Sequence, residues 1–105
     1  MIKFTTHNQE EISIEGTRLT GCCEEGTTYH DLVRAFGEPQ TDLPEWKVKA
    51  QWKIHFPDTN AVATIYCWKI DGDYKDLEGE QWLIGSNYPG LPFLVQQIIK
   101  ENKSP

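Results

Sequence analysis

Residues 61–70 constrain this chain more than any other segment. On an extended backbone, where side chains alternate between faces, Val62, Thr64, Tyr66, Trp68 and Ile70 share one side and Ala63, Ile65, Cys67 and Lys69 the other. Both sides are largely apolar. A strand of that kind belongs inside a sheet with something packed against each face. The preceding run reads differently: Ala50, Trp52, Ile54 and Phe56 alternate with Gln51, Lys53 and His55, one apolar face and one polar. Pro57-Asp58-Thr59-Asn60 between the two runs is turn chemistry, so they form a hairpin. Residues 80–85 offer a third strand with Trp82 and Ile84 on one side. Upstream, Ile2 and Phe4 alternate, as do Ile12 and Ile14, and residues 18–23 extend the same sheet.

Two helices flank the strands in sequence. Thr28 is a good N-cap with Asp31 three residues on, and Tyr29, Leu32, Val33 and Phe36 recur at i, i+3, i+4 and i+7. Gly37 stands where a helix-ending glycine belongs, and Pro39 forbids continuation. The second helix follows Pro89, with Pro92 in its first turn and Leu91, Leu94, Val95, Ile98 and Ile99 along one side. The order strands, helix, strands, helix predicts an α+β fold: a single, mainly antiparallel sheet of four to six strands with two helices packed on one face. Residues 1–101 form one domain, and 102–105 form a frayed tail.

With 105 residues the chain has room for one domain, and four each of Trp, Tyr and Phe supply buriable area despite an apolar content of only 38%. The formal charge is −6, which argues against a polybasic nucleic-acid binder. No apolar run nears the length of a membrane span, and residues 1–10 lack the basic-then-apolar order of a secretory leader, so the expected location is cytoplasmic. Cys22, Cys23 and Cys67 are an odd set with an adjacent pair, the pattern of a reducing compartment.

Two short helices can roof only one face of such a sheet. The other face needs a second subunit, the loop at residues 40–46, or a ligand, and exposed apolar area of this kind marks interaction sites. Large rings crowd this part of the sequence, and Lys47, Lys49, Lys53 and Lys69 cluster on the two central strands. A ring beside lysines suits a planar anion such as a nucleotide, since aromatic platforms stack bases. The candidate ligand-binding residues are therefore Tyr66, Trp68, Lys69, Trp82, Lys47 and Trp46. A solvated edge guarded by lysines is the plain alternative.

Catalytic and metal signatures are missing from the sequence. Asp71, Asp73, Asp76, Glu78 and Glu80 resemble a calcium loop only loosely, with Lys75 at a ligand position and Trp82 where a bidentate Glu belongs. His7, His30 and His55 stand at no metal spacing from the cysteines. Cys67 lies mid-strand in apolar surroundings, the environment of an inert thiol. Gly16, Gly21 and Gly26 are too far apart for a phosphate-cradling loop. No cofactor, no metal and no enzymatic activity are expected.

Several segments together resemble a known group. Ile14-Glu15-Gly16-Thr17, the run Thr28 to Pro39 ending in Phe36-Gly37-Glu38-Pro39, Lys47-Val48-Lys49-Ala50-Gln51-Trp52, Val62-Ala63-Thr64-Ile65-Tyr66-Cys67-Trp68-Lys69 and Trp82-Leu83-Ile84-Gly85 are similar to a family of small proteins found mostly in bacteriophages and mobile elements. The likeness covers about three-quarters of the chain. It departs at Cys67, where Asn is usual, at Leu83, where His is usual, and around residues 42–45. The resemblance implies a phage or mobile-element origin and no catalysis. Combined with the ring-and-lysine cluster, it leads to the expectation of a non-catalytic counter-defence protein that sequesters a nucleotide-derived immune signal, at the seam of a homodimer. The rival is an acidic inhibitor or nucleic-acid mimic that blocks a host nuclease, restriction or CRISPR enzyme. Its signature would be Glu10, Glu11, Glu15, Glu24 and Glu25 aligned with the acids of residues 71–80 in one strip. A third reading is an accessory protein whose uncovered face merely dimerises.

Overall fold

A computed structural model describes residues 2–10, 12–43 and 47–103. The elements in chain order are β1 (Thr5–Thr6), β2 (Arg18–Cys22), α1 (Tyr29–Phe36), β3 (Gln51–Phe56), β4 (Ala61–Tyr66), β5 (Leu83–Ser86) and α2 (Leu91–Glu101). The five strands form one sheet in the order β1-β3-β4-β5-β2, with every neighbouring pair antiparallel. With both helices on one face, this is the expected α+β architecture.

Register assigns the faces. Trp52 lies opposite Ile65, Ile54 opposite Ala63, and Ile65 opposite Ile84, and all five are wholly enclosed. Leu32 and Phe36 of α1 and Leu91, Val95, Ile98 and Ile99 of α2 cover them and share one core. Trp52 and Trp82 meet edge to face at 5.2 Å, and the Trp52 indole N–H donates to Gly37 O at 2.7 Å. That bond secures the end of α1 to the sheet. At its start, Thr28 Oγ1 accepts from Asp31 N while Asp31 Oδ2 accepts from Thr28 N, a complete capping box. Gly37 closes the helix at φ 82°, a conformation glycine adopts without strain.

Three sequence expectations are corrected. The fourth strand stops at Tyr66 rather than running on to Ile70. Beyond it, Lys69 takes a left-handed φ of 51° and its N–H turns to Lys47 O at 2.8 Å, so the chain leaves the ladder. The third sheet segment begins at Leu83, because residues Gly79–Gln81 form a 3-10 turn whose Glu78 and Gln81 cap one another. Ile2, Phe4, Ile12 and Ile14 belong to no strand; only Thr5 and Thr6 pair, with His55 and Ile54. Phe4 instead packs edge to face on Phe36 at 5.7 Å.

The link between β1 and β2 is the most consequential irregular segment. These strands occupy opposite edges of the sheet, so their connection has to cross a face. It crosses the face away from the helices: His7, Ile12, Ser13 and Glu15 line one depression together with His55, Val62 and Asn87. Asn8 pins its start, donating to Phe36 O at 2.8 Å and accepting from Lys53 N at 3.0 Å. Lys53 Nζ donates to Glu10 O, and Lys53 is only 6% exposed beneath this strap. Much of the roofing that the sequence assigns to a second subunit, a ligand or residues 40–46 thus comes from the chain itself. Gln40 does not lie over the face; it bridges to Gln51 by two backbone hydrogen bonds along the sheet edge.

Candidate functional site

The strap covers the half of the open face nearest the β3–β4 turn. At the opposite end, β4 leaves the sheet and Trp68 emerges 45% exposed. Two ammonium groups approach its ring, Lys47 Nζ at 5.6 Å and Lys69 Nζ at 5.8 Å from the centroid. The backbone bond from Lys69 N to Lys47 O holds the two lysines at this spot, and the left-handed turn at Lys69 is what presents Trp68 outward. Such cation–ring contacts are worth about 0.5–1 kcal/mol each at an exposed site. Lys49 is engaged elsewhere, donating to Gly72 O at 3.1 Å.

Trp68 and Lys69 open onto a shallow depression of about 390 Å³, whose other walls are Ile70, Asp71, Leu77, Glu80, Gln81 and Leu83. Its lining combines one cation, Lys69, with two carboxylates, Asp71 and Glu80, and the apolar side chains of Ile70, Leu77 and Leu83. Tyr66, half-buried, lies on the same face opposite Leu83. Loss of water around its ring pushes the Tyr66 phenol up from the ordinary tyrosine range, so it stays a neutral donor.

Of the six residues singled out in the sequence, four gather here: Tyr66, Trp68, Lys69 and Lys47. Trp82 does not. It is enclosed on the helix side of the sheet, with its indole N–H donating to Leu77 O at 3.2 Å and its ring beside Trp52 and Tyr29. Trp82 shares the phase of Ile84, and that phase faces the helices, so it is core. Trp46 lies outside the described residues. Of the three departures from the resembled pattern, Leu83 borders this depression and Cys67 is fully buried in the core.

A second cluster escaped the sequence reading. Under the strap, His7 and His55 stand 6.3 Å apart with Asn60 and Asn87 around a depression of about 420 Å³. Its polar groups are largely spent on the fold. His55 Nε2 bonds Asn60 Oδ1 at 2.9 Å, Asn87 Oδ1 accepts from Val62 N at 2.9 Å, and His7 Nε2 meets Thr5 Oγ1 at 2.8 Å. Glu10 Oε1 is 3.3 Å from His7 Nδ1, close enough to pair with a protonated ring but not aligned as a hydrogen bond. His7, Asn87 and the His55–Asn60 pair come from three separate segments, which is why no motif announced them.

Among the described residues, no three His, Cys, Asp or Glu side chains gather closely enough to hold a metal ion. Burial, reinforced by Cys22 and Glu24, pushes the Cys23 thiol up to about 12, so it remains an unreactive thiol. No helix is long and apolar enough to cross a membrane, among the described residues. The acids do not line up in one strip. Glu25, Glu78 and Glu80 share a depression of about 650 Å³, whereas Glu10 and Glu15 lie at the strap with the histidines, and Glu11 lies outside the described residues. Comparison with protein-family models, with curated proteins and with solved structures gives no match to the chain.

Proposed function

We propose that the protein is a non-catalytic binding protein for a planar, anionic, nucleotide-like ligand, held at Trp68 between Lys47 and Lys69. The observation that carries this reading is the exposed Trp68 ring with two ammonium groups within 6 Å of its centroid, in a chain of net charge −6. A solvated edge needs lysines but no exposed indole. A base stacked on Trp68 gains about 1–3 kcal/mol. Its phosphates meet Lys47 and Lys69, and its exocyclic amine reaches the carboxylates of Asp71 and Glu80 across the depression. In a phage or mobile-element setting, the biological role is sequestration of a nucleotide-derived immune signal.

Titration calorimetry with cyclic dinucleotides, ADP-ribose derivatives and plain mononucleotides tests this. Saturable heat is expected with at least one of them, and Trp68→Ala weakens it at least fivefold, the lower end of the stacking range. No heat with any member of the panel overturns the reading. The second reading, an acidic inhibitor of a host nucleic-acid enzyme, draws on the convergence of Glu25, Glu78 and Glu80 alone, because Glu10 and Glu15 lie apart at the strap. Charge reversal of Glu25 and Glu78 abolishes inhibition of such an enzyme in that case and leaves ligand heat at Trp68 in place.

A further inference from the structure

We propose that the strap between β1 and β2 carries a pH-sensitive latch: protonation of His7 ties it to the Glu10 carboxylate and tightens the strap on the sheet in mildly acidic solution. The inference stands apart from the ligand reading, because neither residue lines the depression at Trp68.

His7 sits where the chain leaves the sheet. Its backbone N–H still donates to Lys53 O at 2.9 Å, and its carbonyl accepts from Glu10 N at 3.3 Å, a turn that brings Glu10 back beside the ring. Nε2 is engaged with Thr5 Oγ1 at 2.8 Å. Nδ1 is closed off from solvent and has no hydrogen-bond partner among the described residues, a state shared there only with Gln96 Oε1. Buried polar atoms are almost always partnered, so an orphan of this kind calls for a reason. What stands before it is a carboxylate oxygen, Glu10 Oε1, at 3.3 Å.

The proton count supplies the reason. A neutral imidazole has one N–H, and its other nitrogen is an acceptor alone. With the proton on Nε2 serving Thr5, Nδ1 turns a lone pair toward a group that offers only lone pairs. Placed on Nδ1 instead, the proton is out of line with Oε1 and makes no hydrogen bond. A second proton turns the contact into an ion pair and leaves the Thr5 bond in place. The Glu10 side chain is 68% exposed, so it has room to swing into line.

The surrounding charges favour that second proton. From β3 come His55, its ring centre 6.3 Å from that of His7, and Lys53, whose Nζ donates to Glu10 O. From the strap come Glu10 and Glu15, while Asn60 and Asn87 bring uncharged amides from the β3–β4 turn and the segment after β5. Two carboxylates thus stand against one ammonium, and a single added positive charge balances them. His55 is the poorer acceptor of it. Its Nε2 is bound to Asn60 Oδ1, and it has no ion-pair partner among the described residues. The latch also encloses the strap's anchors: Asn8, between His7 and Glu10, bonds Phe36 O and Lys53 N, and Glu10 itself takes the Lys53 ammonium. Closing it braces those anchors, and opening it loosens them.

Amide hydrogen exchange of the full chain at about pH 5.5 and about pH 8, corrected for intrinsic rates, tests the proposal. The amides of Glu10 and Lys53, bonded to His7 O and Asn8 Oδ1, are expected to be about two- to fivefold better protected at the lower pH, the size of an ion pair with one exposed partner. The amides of α1 are expected not to respond. His7→Gln, whose amide can keep the Thr5 contact but cannot take a charge, abolishes the difference, and so does Glu10→Gln. His55→Gln retains it. Glu10→Gln alters an exposed side chain, so the test stands even where a His7 variant unfolds. Equal protection at the two pH values, a difference that survives Glu10→Gln, or one that disappears with His55→Gln each overturns the latch. An equal response in α1 overturns it too, because the pH effect would then belong to the whole fold.

Discussion

On the helix side of the sheet, Trp52, Ile54, Ile65, Trp82 and Ile84 are enclosed by apolar side chains from two helices. On the other side, Lys53, Val62 and Thr64 are just as dry, yet what lies over that face is a strap without regular structure, held by Asn8 and by Lys53 itself. The contrast separates two ways of excluding water. The first relies on area and shape, so it fails when a volume is removed. The second relies on a few directional bonds, so it fails when one donor is lost, and the core need not notice.

The largest effect expected is on the helix side. Trp82→Ala empties the centre of the core and orphans Leu77 O, with a loss of about 3–5 kcal/mol in urea unfolding. A loss near the level of a surface change would break the distinction at once.

Next comes alkali. Burial first, then the bond and charge of Glu38, push the Tyr29 phenol up to about 12, and burial likewise raises Cys23 to about 12. Both groups are neutral when protonated, and the folded chain holds those protons more tightly than the unfolded chain does. Their contribution is complete below the ordinary Cys and Tyr pKa values and drains away as pH rises through about 12. Denaturant titrations from pH 9 upward should show a decline on the order of a few kcal/mol, and Tyr29→Phe should make it shallower.

Smaller still is the strap. Lys53→Met removes the donor to Glu10 O with little change in bulk, at about 1–2 kcal/mol. Its signature is local: amide exchange rises at residues 12–17 while the amides of α1 keep their protection. Equal loosening of α1 would mean that the two faces are one cooperative unit. The smallest effect belongs to Trp68→Ala, within about 0.5 kcal/mol of the wild type in stability. That near-silence sharpens its assignment as a binding residue.

The legible parts of the fold are those where a local pattern and a tertiary need coincide. Thr28, Asp31 and Gly37 mark both ends of α1, and β3 declares its faces by strict alternation. β4 was readable only as far as Tyr66. The turn beyond it depends on Lys69 adopting a left-handed backbone to reach Lys47 O, and a lysine carries no sequence sign of that. Ile12 and Ile14 alternate like a strand, but the strap they belong to must span the sheet from edge to edge, so they line a loop. Within the candidate site, the Trp68–Lys69 pair was visible as neighbours and Lys47 as part of a cluster. Trp82 was misplaced because alternation shows that Trp82 and Ile84 share a side without saying which side the helices choose.

The strap also dictates an order of assembly. Thr5 has no strand to pair with until His55 exists, and Arg18 none until Ser86 does. Closing a loop over the open face before the central hairpin has formed would sacrifice chain entropy with no contact to offset it. The hairpin of β3 and β4 is therefore the part to form early, and both outer strands are latecomers, folded onto a platform made from later residues. A ribosome releases both outer strands before the strands they pair with.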